Sequence, residues 1–439
     1  MDFAFNLLII IIDQILLFAI NIMVARNTGE VLYGNFSVAT QGLLILGTLL
    51  TLGIDSIIDY YIPKLHHLKH YKKIVSLIAS IKRFMIPIYI SVFITGLSVF
   101  FIFIFDISPK LNHEVLVHPF YIFIWGAVFI ACYNILIHLL RSINQMRIAV
   151  NMSLLQNVLY LLLVGLFISL GNHYLVHPTI HVYYPHLLLI AFVGSYGITG
   201  FVCYALLGGI NHGKKKLPPE GVPIKWRGKI QGYTIQNLNG YVFAAIPLLV
   251  LEFISPSEHN TGLFAAVISI ITVAHLAIYP LGILVAPDIS SALSHSSRQL
   301  KKILSRYLKV CFAISLGVIV IVGIFAQPIL YLFKSDFIDA LPYLYVSLFE
   351  IVIYGISLPL TKMVMFSANG SHLGAKLTLC LLATQTVASF VLIKQFDIVG
   401  AVICFIGISL INMLALLSLS RAILTTPKDA RQFLADIYT

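Results

Sequence analysis

Runs of about twenty apolar residues, separated by short polar breaks, recur from one end of this chain to the other. At about 1.5 Å per helical residue each can cross a hydrocarbon core of about 30 Å. Twelve such runs can be drawn, near 5–24, 36–58, 84–105, 119–140, 149–170, 186–207, 230–253, 262–287, 308–333, 340–366, 373–393 and 399–420. None alternates with a period of two, which excludes ten-residue barrel strands, so the pattern predicts an all-α polytopic membrane protein. The first run is expected to persist as a membrane helix, because Met1 to Asn6 carries no Lys or Arg and no small-residue cleavage site closes the run.

The longest polar break, 208–229, holds Lys214, Lys215, Lys216, Pro218 and Pro219 and divides the runs into two sets of six. The expected organisation is an N-terminal six-helix lobe (1–207), a basic cytoplasmic linker (208–229), a C-terminal six-helix lobe (230–425) and a cytoplasmic tail (426–439). The halves also echo one another. Gly34-Asn35-Phe36 answers Gly262-Leu263-Phe264 at an offset of 228, and Lys72-Lys73-Ile74 answers Lys301-Lys302-Ile303 at 229. Ser142-Ile143-Asn144 answers Ser367-Ala368-Asn369 at 225, and Gly200-Phe201-Val202 answers Gly400-Ala401-Val402 at 200, the last offset shortened by a longer outer loop in the first half. Six is even, so the halves share an orientation, which predicts a parallel repeat about an axis along the membrane normal.

Composition agrees with this picture. Of 439 residues, 59% are hydrophobic and only 10% charged, against about 25% charged in soluble domains. The net charge of +11 is an orientation signal rather than a nucleic-acid footprint. Segments 59–83, 141–148, 208–229, 288–309 and 421–439 together carry 22 Lys or Arg, while the opposite side carries Arg26, Lys110, Lys334 and Lys394. By the positive-inside rule both termini are expected in the cytoplasm, with the basic side attracted to anionic lipid heads. In Tyr71 to Arg83 and in Leu300 to Lys309 apolar residues fall at helical spacing among basic ones. Two readings stay open for these stretches: interfacial helices on the inner leaflet, or cytoplasmic extensions of the third and ninth spans. The five cysteines lie in or beside apolar runs without paired spacing, and the histidines lack tight ligand spacing, so neither a disulfide framework nor a metal site is expected.

Polar residues inside the runs carry the candidate chemistry. Asp13 sits mid-span, where a carboxylate costs about 2.5 to 3.5 kcal/mol and marks a functional hypothesis. It shares a helical face with Asn6, Gln14 and Asn21, and the seventh run carries Tyr233, Gln236, Asn237 and Gly240 at helical spacing. Such stripes face each other, a wet cavity or other helices, because they cannot face lipid. Glu350 in the tenth run is a second buried-acid candidate. Lys362, twelve residues later, either snorkels to the interface or meets substrate. Asp55 and Asp59 close the second run as caps or solvent-facing groups, and His138 and His275 are read as packing or pore lining.

The stretch Ala25-Arg26, Thr28-Gly29, Tyr33-Gly34, Phe36-Ser37 and Leu52-Gly53-Ile54-Asp55 resembles the opening of polysaccharide transporter proteins. These are the O-antigen and lipid-linked oligosaccharide flippases of the multidrug, oligosaccharidyl-lipid and polysaccharide (MOP) exporter superfamily. The closing stretch from Phe333, with Phe396-Asp397-Ile398-Val399-Gly400-Ala401, is similar too. The resemblance implies two six-helix lobes in a MATE-like arrangement in a bacterial cytoplasmic membrane. It further implies alternating-access flipping of polyprenyl-diphosphate-linked oligosaccharide for O-antigen, lipopolysaccharide or other surface polysaccharide. On that view the partners are the lipid-linked oligosaccharide, membrane lipids and other polysaccharide-assembly membrane proteins, and no enzyme activity or cofactor is expected beyond a coupling H+ or Na+. Arg26 matches the family's arginine at the end of the first span and is the candidate for a phosphate contact, or an interfacial anchor pairing with Glu30. Asp13 and Glu350 are the coupling-ion candidates. The acidic sign of both mid-span charges departs from what a diphosphate cavity calls for and keeps a cation-coupled multidrug exporter as the alternative. A membrane enzyme of polysaccharide assembly is third, weakened because the outer loop 171–185 has no acidic residue, Lys or Arg.

Overall fold

The computed structural model describes residues 2–67, 70–104, 118–143, 145–174, 184–212, 226–239, 243–279, 281–282, 285, 288–289, 297–367 and 370–425. Gly240, Pro280, Pro287, Asn144, Asn369, most of the 208–229 linker and the 426–439 tail lie outside the described residues.

The chain opens on α1 (Asp2–Leu50), whose 49 residues are too long for one crossing and are broken at Gly29 (φ 76, ψ 176) into two. The second crossing therefore begins several residues before the apolar run drawn for it. It stops at Leu50, because Leu52 and Gly53 both turn to positive φ, and helix resumes as α2 (Ile54–His67). Next come α3 (Tyr71–Ile104), α4 (Ala127–Ser142), α5 (Met146–Tyr174) and α6 (Tyr184–His212). The seventh run is split into α7 (Ile230–Asn237) and α8 (Ala245–Ile254). It is followed by α9 (Glu258–His275) and α10 (Ser297–Phe333). The tenth run is α11 (Leu341–Ser347) and α12 (Phe349–Phe366), bent by 44° at their junction. Finally α13 (Gly370–Phe396) and α14 (Ile398–Thr425) close the described chain. Counting each broken run once gives twelve crossings, six per half, and the described residues contain no strand.

The stretches with two open readings, 71–83 and 300–309, are continuous with α3 and α10, which run for 34 and 37 residues. At about 1.5 Å per residue both outrun a bilayer. Their apolar faces are buried: Ile74, Leu77 and Ile81 pack with Ile54, Ile57, Ile58 and Ile62 of α2 and with Trp226, while Leu300 and Leu304 pack with Leu360, Met363 and Val364 of α12. Farther along, Ile86, Ile90 and Ile94 of α3 and Leu316, Val320 and Ile324 of α10 are exposed at a spacing of four. Stripes of that size are a liability in water and the natural surface of a helix in lipid.

Two compact units result. The first holds Met1–Thr28 and Asn35–Leu238, and the second holds Gly29–Gly34 and Asn239–Thr439. Helix α7 thus belongs to the first unit and α8 to the second, so the division falls inside the seventh run. The six-residue tip of the first hairpin belongs to the second unit.

Candidate functional site

In the first unit Asp13 of α1 is buried, 5% exposed. Ser153 and Asn157, four residues apart on α5, project from one helical face toward it. Asn157 Nδ2 donates to Asp13 Oδ1 at 2.7 Å and Ser153 Oγ donates to Oδ2 at 3.0 Å. Asn157 Nδ2 also lies 3.3 Å from the Asp13 carbonyl oxygen. Both donors to the carboxylate are neutral, and among the described residues no Lys or Arg pairs with it. Gln14 and Asn21, on the same helix, are half-buried and make no side-chain hydrogen bond among the described residues. Arg26 is exposed and likewise has no ion pair there; Glu30, its sequence-proposed partner, instead lies 3.1 Å from His259 Nδ1.

A second polar centre forms where α2 restarts. Asp55, in its first turn, accepts from the Ser56 backbone N–H at 2.8 Å and from Asn237 Nδ2 at 2.8 Å, while Ser56 Oγ donates to Asn237 Oδ1 at 3.0 Å. Gly53 makes this possible. With φ of +67 it bends the chain where a Cβ would stand 2.7 Å from both Thr234 N and Tyr233 Cβ, so the break presses against α7 with no side chain between them. Asp59, one turn on, holds His138 Nδ1 at 2.7 Å and accepts from Ser142 Oγ at 2.8 Å. The polar stripe of the seventh run is therefore partly spent inside the first unit: Asn237 binds Asp55, and Tyr233 packs at the Gly53 break. Gln236 is half-buried and makes no side-chain hydrogen bond among the described residues.

In the second unit Glu350 of α12 is 4% exposed. Its Oε2 lies 2.5 Å from His275 Nε2 on α9, and the imidazole stacks on Tyr354 with ring centroids 4.0 Å apart at 18°. Tyr354 sits one turn beyond Glu350, so α12 supplies both the acid and the ring that holds the imidazole flat. Lys362, three turns on, is half-buried with no ion-pair partner among the described residues. Asp397 (φ 52) ends α13 and accepts from Ser255 Oγ and Asn260 Nδ2, both at 2.7 Å. It fastens the α8–α9 connection and has a structural role.

Sequence reading missed Ser153, Asn157 and His275 as partners. The i, i+4 polar pair on α5 was the available signal for the first two. The His275 contact had none, since residues 75 apart in sequence meet only through packing.

The chain matches no protein-family model, and no curated protein shows significant sequence similarity to it. Solved structures do resemble it. A multidrug resistance MATE family transporter of the MOP superfamily, in an inward-facing conformation, superposes with a TM-score of 0.72 at 15% identity, covering 94% of this chain and 95% of that one. A MATE in complex with MaL6 gives 0.67 at 16% identity, covering 95% and 94%. A MOP superfamily transporter from Pyrococcus furiosus gives 0.66 at 15%, covering 97% and 96%. At this identity the likeness is one of fold: the chain has the all-α, twelve-helix fold seen in these MATE structures.

Proposed function

We propose that this chain carries polyprenyl-diphosphate-linked oligosaccharide across the cytoplasmic membrane by alternating access, for O-antigen or another surface polysaccharide. The observation that supports this is which charges are committed. Asp13 is closed by Asn157 and Ser153 and Glu350 by His275, whereas Arg26 and Lys362 hold no acid among the described residues. Cations without an acid partner suit a diphosphate, while Asp13 and Glu350 are held by their own hydrogen-bond partners. An oligosaccharide head needs polar shelter because each hydroxyl stripped of partners in hydrocarbon costs several kcal/mol, and an inside-negative potential favours an anion leaving by about 2.3 kcal/mol per charge per 100 mV. Asp13 is the proposed site of a coupling proton or sodium ion, with Glu350 as the second candidate.

A cation-coupled multidrug exporter is the second reading, favoured by the MATE neighbours themselves. The Pyrococcus furiosus neighbour is described as having a binding pocket of reverse polarity that suggests a different function. The sign of the available charge is therefore the property to test. Deleting the gene is expected to strand lipid-linked oligosaccharide on the cytoplasmic leaflet with dye efflux unchanged; normal surface glycan together with dye retention would select the exporter. In cells, Arg26→Gln and Lys362→Gln should each lower glycan export at unchanged protein level, and undiminished export in both would sink the phosphate role.

A further inference from the structure

At the basic end of α3, within the first unit, Lys82 and Arg83 are exposed, and neither pairs with an acid among the described residues. The helix continues away from them as the exposed apolar stripe Ile86, Ile90 and Ile94. Arg83 lies three residues before Ile86 and seven before Ile90, which puts it at the head of that face. Lys82, one position round the helix, reaches across to α6, where its Nζ stands 5.4 Å from the ring centroid of Tyr204. Tyr204 is itself exposed and begins a second apolar face, since Phe201, one turn farther from the basic end, is 73% exposed. The stripe of the second unit has a different head: one turn before Leu316, where α3 has Lys82 before Ile86, stands the exposed Phe312.

We infer that Lys82 and Arg83, with Tyr204 beneath the ammonium, hold the phosphate of an anionic membrane phospholipid whose hydrocarbon chains lie along the exposed faces of α3 and α6. Charge selects the head. A tyrosine face attracts an ammonium without neutralising it, so Lys82 is positioned and still has donors for a phosphate. Length selects the tails. Lys82 to Ile94 covers about 18 Å of helix at 1.5 Å per residue, close to one leaflet's half of a core of about 30 Å. A soluble phosphate would meet the two cations and leave the apolar faces unused, and a zwitterionic lipid would bring its own cation beside Lys82. An anionic phospholipid uses every part of the surface. The inference rests on the membrane placement of the fold and is independent of the cargo.

The test introduces a reporter by Phe201→Trp and reconstitutes the full chain in bilayers of phosphatidylcholine and phosphatidylglycerol, one lipid at a time carrying brominated chains. Protein without the reporter supplies the background of Trp125 and Trp226. Quenching should show a preference for phosphatidylglycerol that falls about fivefold in Lys82→Gln, the worth of one basic residue near an anionic surface. The preference should survive in Lys82→Arg. A second reporter, Leu316→Trp, should be unmoved by Lys82→Gln. Equal quenching by brominated phosphatidylcholine in the absence of phosphatidylglycerol checks that each variant is folded and inserted alike. No preference at Phe201→Trp, or one unchanged by Lys82→Gln, would reduce the site to diffuse attraction and overturn it. A preference abolished by soluble glycerol phosphate would also overturn it, by showing a site for free phosphate.

Discussion

Asp13 in the first unit and Glu350 in the second are alike in burial, 5% and 4% exposed, and unlike in company. Asp13 is held by two neutral donors, Asn157 and Ser153, and Glu350 by an imidazole that is itself stacked on Tyr354. The side chains that donate to Asp13 do not titrate, so it is the one ionisable side chain among them, whereas Glu350 meets a second ionisable side chain, His275. The twofold repeat in the sequence is not carried through to the chemistry.

Removing His275 is the harshest way to break this comparison. His275→Leu leaves Glu350 buried without its partner and should cost about 3 to 5 kcal/mol in denaturant unfolding of the purified protein. His275→Leu with Glu350→Leu should recover most of that, because removing both members leaves nothing unpaired. A His275→Leu cost no greater than that of Asn157→Leu would mean the two acids are held alike. Next in size is Asp55→Ala, which strips Asn237 and the Ser56 N–H of their acceptor and should cost about 1 to 3 kcal/mol. Its effect should be non-additive with Asn237→Ala, and simple additivity would show that the two side chains do not cooperate at the break. Asn157→Leu should cost the least, about 0.6 kcal/mol as membrane-buried hydrogen bonds average.

Asp13 sharpens the comparison in function. Asp13→Ala should abolish export at unchanged protein level, whereas Asp13→Asn at full activity would rule out a protonation role and shift coupling to the second unit. Glu350→Gln with His275 retained should then be the variant that fails.

Much of the fold was legible because its causes are local. Apolar length, the absence of two-residue alternation and the side-by-side placement of Lys and Arg are read directly along the chain, and they yielded twelve crossings and the all-α class. The breaks were harder. Gly29 and Gly53 are visible as glycines, but their positive φ depends on what presses against them: at Gly53 it is α7, nearly two hundred residues away in sequence. Polar residues within apolar runs can be picked out along the chain, but their partners cannot: Asn237 turned out to serve Asp55, and Glu350 found a histidine read only as packing or pore lining.

The hydrophobic pattern alone dictates a series of apolar helices long enough to cross a membrane, since the free energy of burying an apolar run depends on its own length and composition. Which partner each buried carboxylate meets, and where the helices break, came from packing. A hydrogen bond of 2.7 Å between Asp13 and Asn157 joins residues 144 apart in the chain, and only the folded backbone sets the side-chain directions that allow it.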